Sequence, residues 1–303
     1  MKRLNILVLG VVGTSLIFAA DNGSGNGQVN MVVTAEAVHG KAIPSLTTSD
    51  FVVHQGHDRL PASNAIALQG DRAGLELYLL IDDSSNTTLG TELKEIREFV
   101  AAQPRTTAVG IGYMRNGAVS VQQNPTTDHT VAGKALRLPL GNPGVVGSPF
   151  LALSDLIKRW PASAERHEVV MISSGADPLG GTIVNPYLDS AIEQAQRSGV
   201  IVYAIYTPSA GHYGHSFYRM NWGQNHLAQL AEETGGEAYF LGFGTPVTFG
   251  PYFAEITERL AHQYLVSFVP KAWPKPGLAS VKLSTEVPNV DLVSASKVFV
   301  PVK

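Results

Sequence analysis

The sequence predicts an α/β fold: a doubly wound, mostly parallel sheet, flanked by an antiparallel β unit drawn from both ends of the chain. Three observations carry this. From Leu75 onward, short apolar runs alternate with amphipathic helical stretches, which is the pattern of βα units. The run Leu75–Ile81 carries one charge, Glu76, so it reads as a strand buried on both faces. The segments before and after this part show short, partly alternating runs bounded by turn residues, as antiparallel strands do.

The chain has 303 residues, a net charge of −3 and no cysteine. That length accommodates an α/β domain and a smaller unit. A near-neutral chain without a basic run argues against nucleic acid or an anionic membrane surface as partner. Without cysteine there is no disulfide and no lipobox, so stability rests on core burial. Lys2 and Arg3 precede an apolar stretch, Leu4–Ala20, the layout of a secretory signal over residues 1–20. Ala20 suits a cleavage site while Phe18 is large for one, so an uncleaved anchor stays open. Either way the rest of the chain is expected to be exported, periplasmic or secreted, with no membrane contact beyond this segment.

Residues 21–27 form a polar linker, and residues 28–70 an N-terminal β segment. In it, Met31–Val38 reads as a strand and His39-Gly40-Lys41 as a turn. A second strand, Phe51–Val53, leads to a hairpin turn at Gln55–Asp58. His54 and His57 read as solvent-facing residues, with no third ligand nearby.

Residues 71–263 form the α/β domain. Strand Leu75–Asp83 is followed by a helix over Thr91–Gln103, with Leu93, Ile96 and Val100 on one face. Thr106–Tyr113 is a strand, and Asn116-Gly117 signals a hairpin to an antiparallel edge strand, Ala118–Gln122. A short helix is expected over Asp128–Leu138 and a loop over Gly141–Gly147. Ser148 caps a helix burying Phe150, Leu153, Ile157 and Trp160. Strand Glu168–Ile172, helix Tyr187–Ser198 and strand Val200–Tyr206 follow. A long loop, Thr207–Gln224, precedes helix Asn225–Thr234, strand Glu237–Leu241 and helix Pro251–His262. Residues 264–303 return to β structure with strands Tyr264–Pro270, Ala279–Val287 and Leu292–Val302. They are expected to pack with residues 28–70, since each group alone has too few strands to bury a face.

Three segments converge at carboxyl ends of strands: Asp82–Thr87, Val146–Ser148 and Ser173–Asp177. Ligands of open α/β sheets bind there, and small oxygen side chains suit a hard cation. The pattern Asp82-x-Ser84-x-Asn86, the helix start Gly147-Ser148-Pro149-Phe150-Leu151 and the turn Ser173-Ser174-Gly175 resemble the metal-ion-dependent adhesion site of von Willebrand factor A domains. Four flanking segments resemble secreted bacterial VWFA-related proteins of Acidobacteria type. They are Gly40-Lys41 through Leu46, Asp50-Phe51, Leu230–Gly236 and Gln263–Pro270.

The resemblance implies a Rossmann-like VWA sheet and a protein partner at its carboxyl face. It also implies Mg²⁺ or another divalent cation at Asp82, Ser84, Asn86, Ser148 and Ser174. The motif is degenerate: Asn86 stands for a serine, Ser148 for a threonine and Ser174 for an aspartate. With Asp82 as the one certain carboxylate, a cation would bind weakly. Alternatively the polar residues now only hydrogen-bond their loops. The frame Asp83-x-Ser85-x-Thr87 fits the hydroxyl pattern better but presents the other face of the strand. The apolar run ends at Ile81, which favours the Asp82 frame.

The stretch Gly211–His226 is rich in histidine and aromatic residues. His212, Tyr213, Tyr218 and Trp222 are candidate partner-binding residues, because such side chains anchor interfaces. A zinc site at His212, His215 and His226, and a plain ordered lid, are the other readings. No nucleophile elbow or P-loop is present. Gly242-Phe243-Gly244-Thr245 reads as an ordinary connection. No catalytic residues are expected. Three functions follow: an adhesion-type binding module, a metal-independent interaction protein of an envelope assembly, and a serine hydrolase using Ser84, Ser148 or Ser174 with a loop histidine.

Overall fold

The computed structural model of the chain describes residues 27–38, 42–142, 147–163, 165–180, 184–211, 216–271 and 275–301. The signal segment, the turn at residues 39–41 and Val146 lie outside the described residues.

The N-terminal segment forms β1 (Val29–Ala37), β2 (Val52–Gln55), β3 (Asp58–Pro61) and β4 (Asn64–Ala67). The α/β part follows as β5 (Leu75–Asp82), α1 (Leu93–Ala102), β6 (Thr107–Arg115), β7 (Ala118–Thr126), α2 (His129–Lys134) and α3 (Pro149–Arg159). It continues with β8 (Arg166–Ser173), α4 (Pro186–Ser198), β9 (Ile201–Tyr206), α5 (Phe217–Thr234), β10 (Ala238–Tyr239) and α6 (Gly250–Ala261). The tail is β11 (Gln263–Phe268), β12 (Gly277–Ser284), β13 (Val290–Ser294) and β14 (Lys297–Val300).

The central sheet has the order β10-β9-β8-β5-β6-β7. All its pairings are parallel except β6–β7. Asn116 and Gly117, both at positive φ, make the turn before that antiparallel edge strand, as a two-residue hairpin requires. From β5 the chain builds β6 and β7 on one side, then crosses to place β8, β9 and β10 on the other. β5 and β8 therefore flank the topological switch point.

Alternation along β5 divides the core in two. Leu77, Leu79 and Ile81 pack with residues of α1, α2 and α6. Tyr78 and Leu80 pack with α3, α4 and α5. The two ends of the chain meet in two four-stranded sheets, β13-β1-β11-β4 and β14-β12-β2-β3. Phe51, Val53, Val266, Phe268 and Ala279 lie in their shared core.

Three elements differ from expectation. The tail strand read over Leu292–Val302 is two strands in different sheets. The chain crosses at Ala295-Ser296, where the Ser296 N–H bonds to the Glu233 carbonyl and its own carbonyl accepts from Val281. α2 ends at Lys134, because Arg137 is drawn back onto Asp83. α5 begins at Phe217 rather than Asn225. Asn221, Gly223 and Asn225 are weak helix formers, and the helix survives through its packing rather than its propensity.

At the amino ends of the parallel strands, Glu168 is fully buried. Its Oε1 lies 4.0 Å from Arg166 Nε, and neither carboxyl oxygen has a hydrogen-bond partner. Burial pushes this carboxyl up to about 7, against the lowering pull of Arg166. Gln263 and Tyr203 also favour the ionised form, although neither bonds to it with normal geometry. The unfolded chain loses this proton near 4.5 and the folded chain near 7. Between those values the folded state holds the extra proton, so stability falls as pH rises. The full loss is about 3 kcal/mol. Burial raises Glu36 and Asp82 as well, which acts in the same sense. Glu168→Gln should therefore flatten the decline of unfolding free energy between roughly pH 5 and 8, measured by urea titration. An unchanged slope would show that Glu168 ionises normally.

Candidate functional site

β5 and β8 run in parallel register with Ile81 opposite Ile172. The next residue of each strand, Asp82 and Ser173, therefore emerges side by side. Ser173 Oγ donates to Asp82 Oδ2 at 2.9 Å. Asp82 Oδ1 accepts from the Ser84 N–H at 2.9 Å and from its hydroxyl at 2.7 Å. Burial raises the Asp82 carboxyl above its ordinary value, while these three bonds pull it down.

Asp83 points to the opposite side and is fully buried. Arg137 grips it through two bonds, 2.6 and 2.8 Å, with its guanidinium 3.8 Å over the Tyr113 ring. Asp83 is thus neutralised where it stands, and the strand turns Asp82 and Ser84 toward Ser173.

The other expected ligands go elsewhere. Asn86 Oδ1 accepts from the Thr88 N–H and caps the short 3-10 turn that follows. Ser148 caps α3 and donates to Asp177 Oδ2 at 2.6 Å. Asp177 also accepts from the Leu179 and Gly180 N–H groups and from Asn185 Nδ2. Ser174 Oγ pairs with Ser209 Oγ at 2.7 Å. The structure thus joins Asp82 to Ser84 and to Ser173, a residue absent from the expected set. Strand alternation and the β5–β8 register place Ser173, not Ser174, beside Asp82.

A divalent cation needs several oxygens with lone pairs turned to one point. Here Asp82 is engaged by three donors and Asp177 by four. The Ser148 and Ser174 hydroxyls pair with Asp177 and Ser209, and the Asp83 charge is cancelled by Arg137. The residues as placed do not fit the cation.

Of the expected partner-binding residues, His212 and Tyr213 lie outside the described residues, as does His215. Tyr218 and Trp222 sit one turn apart on α5, with ring centroids separated by 6.1 Å. Phe217 meets Phe243 edge-on at 5.0 Å. Phe217, Tyr218 and Leu241 are 59%, 70% and 80% exposed, a concentration of large apolar side chains uncommon on a solvated surface. His226 instead packs edge-on against Phe150 in the core between α5 and α3.

Two glycines bring α5 to this face. A Cβ on Gly223 would stand 2.1 Å from the Ser174 carbonyl oxygen. One on Gly175, which has φ of +65°, would stand 2.3 Å from the Gly223 carbonyl oxygen. Backbone meets backbone here, so the helix start is fixed against the β8 turn. Gln224 Nε2 then ties α5 to the Gly242 carbonyl at 2.6 Å, joining the two aromatic segments.

No family model and no curated protein matches the chain. Among solved structures it is similar to an aerotolerance-related membrane protein from Bacteroides fragilis, at 16% identity, covering 62% of this chain and 98% of that one, with a TM-score of 0.45. It is similar to BatB from Bacteroides thetaiotaomicron at 14% identity, covering 62% and 98%, with a TM-score of 0.45. The ArnB paralog VWA2 from Sulfolobus acidocaldarius aligns at 10% identity over 91% of this chain and 76% of that one, with a TM-score of 0.42. Likenesses at this level assign neither family nor function to the chain.

Gly223→Ala is expected to destabilise the protein by about 1–3 kcal/mol, the cost of overpacking a closed contact, measured by chemical denaturation. A loss below about 0.5 kcal/mol would show that the turn yields. Calorimetric titration with Mg²⁺ or Mn²⁺ is expected to give no saturable heat. Binding that disappears in Asp82→Ala would show that the cradle rearranges around an ion.

Proposed function

We propose that the chain is an exported, non-enzymatic binding module of von Willebrand A type that holds a protein partner at the carboxyl face of its sheet. The observation that carries this reading is the aromatic patch beside the switch point, in which Phe217 and Tyr218 are exposed and pack on the half-buried Phe243 and Trp222. Tyrosine and tryptophan give large contact area at small entropic cost, which is why they anchor interfaces. The resemblance of Asp82-x-Ser84 and of the flanking segments to secreted VWFA-related proteins supports the same reading.

Two features favour a cation-independent mode of binding within an envelope assembly. The carboxylates of the cradle are closed by their own loops. The contact area lies on α5, beside the cradle rather than in it. The non-enzymatic reading is supported by the serine hydroxyls: among the described residues, Ser84, Ser148 and Ser174 pair with Asp82, Asp177 and Ser209. Export rests on the N-terminal sequence. Among the described residues no helix is long and apolar enough to cross a membrane.

A photo-crosslinking side chain at Tyr218, compared with one at the exposed Lys282 of β12, tests this in envelope extract. A discrete adduct at 218, retained in chelator and lost in Trp222→Ala, is the expected result. Equal adducts at both positions, or none, would count against the face. Loss on chelation would restore a cation to the mechanism.

A further inference from the structure

At the amino ends of the parallel strands, away from the face described above, the surface opens into a cleft of 510 Å³. Clefts of roughly 300–1,000 Å³ hold small ligands. Its walls come from the approach to β5, the connection after α1, the first residue of β8 and the end of α6. Leu68, Leu75 and Leu260 line it and are 1%, 1% and 6% exposed, so they form an apolar floor.

One charged group stands in this lining as deeply as the leucines. Arg166 is 4% exposed. Its Nη1 donates to the Leu260 carbonyl at 3.2 Å and to Gln263 Oε1. Its Nε has no hydrogen-bond partner. The nearest anion, Glu168 Oε1, is 4.0 Å from that nitrogen, beyond hydrogen-bond reach. An unmet donor on a buried guanidinium is costly. A carboxylate is the group whose geometry matches it.

We propose that this cleft is a binding site for a medium-length aliphatic carboxylate, with its head group on Arg166 and its alkyl chain along Leu68, Leu75 and Leu260. The lining selects both halves of the ligand. An apolar floor favours a chain over a sugar or nucleotide, and the planar Arg166 guanidinium at its end favours a carboxylate head group. Glu168 competes for Arg166 only when ionised, and burial holds its carboxyl up to about 7. Glu168 therefore leaves part of the Arg166 charge available near neutral pH. Gln103 and Thr107 are the other buried polar residues of the lining, and Gln103 is committed to the Phe99 carbonyl.

The test is calorimetry on the full chain with decanoate below its micelle concentration, and with 1-decanol as the uncharged control. One decanoate per chain is expected, binding at least about tenfold more tightly than decanol. Ala73→Trp fills the partly exposed mouth of the cleft, and should weaken decanoate by about tenfold or more. Arg166→Met combined with Glu168→Gln removes the anchor without leaving a buried charge unpaired. It should abolish the preference for decanoate over decanol. No saturable heat with the unmodified chain would overturn the proposal, as would unchanged affinity in Ala73→Trp. Equal binding of decanol and decanoate would overturn the role of Arg166. If the double variant fails to fold by circular dichroism, the mouth variant and the decanol comparison decide alone.

Discussion

The burial of β5 on both faces is the constraint on which the rest of the molecule depends. Each apolar side chain sealed there contributes about 1.5–3 kcal/mol. Leu77, Leu79 and Ile81 go to one helical layer, Tyr78 and Leu80 to the other. The run must stop where side chains first reach polar partners, and it stops at Asp82. The same alternation sends the two adjacent aspartates apart. Asp82 meets Ser84 and Ser173, and Asp83 meets Arg137. Asp83 is fully buried while the Arg137 side chain is 36% exposed, so removing Arg137 would leave a buried carboxylate without its counter-charge, at less than the roughly 3–5 kcal/mol of a wholly buried pair.

The loops beyond β5 and β8 close on themselves. Ser84 accepts from Ala210 through its carbonyl, Asn86 donates its N–H to Pro208, and Ser174 pairs with Ser209. The Asp82 carboxylate and the Ser84, Ser173 and Ser174 hydroxyls are thereby paired within these loops. The exposed chemistry of the face is instead apolar and aromatic, and it is placed by backbone contact between Gly175 and Gly223. Rigid placement matters for recognition, because side chains already held in position lose less entropy on binding.

The opposite end of the sheet is organised differently. β11, which follows α6 directly, pairs with β1 and β4 in a sheet that neither end of the chain could form alone. Gln263, the first residue of β11, reaches Arg166 and Tyr203 of the central sheet. Glu168 lies fully buried at the same end, within ion-pair range of Arg166. A buried, incompletely bonded polar group is unfavourable for stability.

The sequence by itself determined the α/β class, the buried strand and its end at Asp82, the hairpin at Asn116-Gly117 and the cap at Ser148. These follow from local pattern: apolar period, turn chemistry and the end of a hydrophobic run. Only the tertiary structure decided which hydroxyls meet Asp82, because that depends on the register between β5 and β8, strands separated by more than eighty residues. It also decided that Tyr218 and Trp222 stand on a helix. Local propensity disfavours a helix through Asn221 and Gly223, whereas the missing Cβ of Gly223 is what lets α5 dock. The split of the tail into β13 and β14 was likewise illegible, since the corner carries no glycine, proline or asparagine and its two serines, Ser294 and Ser296, are weak turn signals. The corner is made by hydrogen bonds from Ser296 to α5 and β12, distant partners that no local window contains.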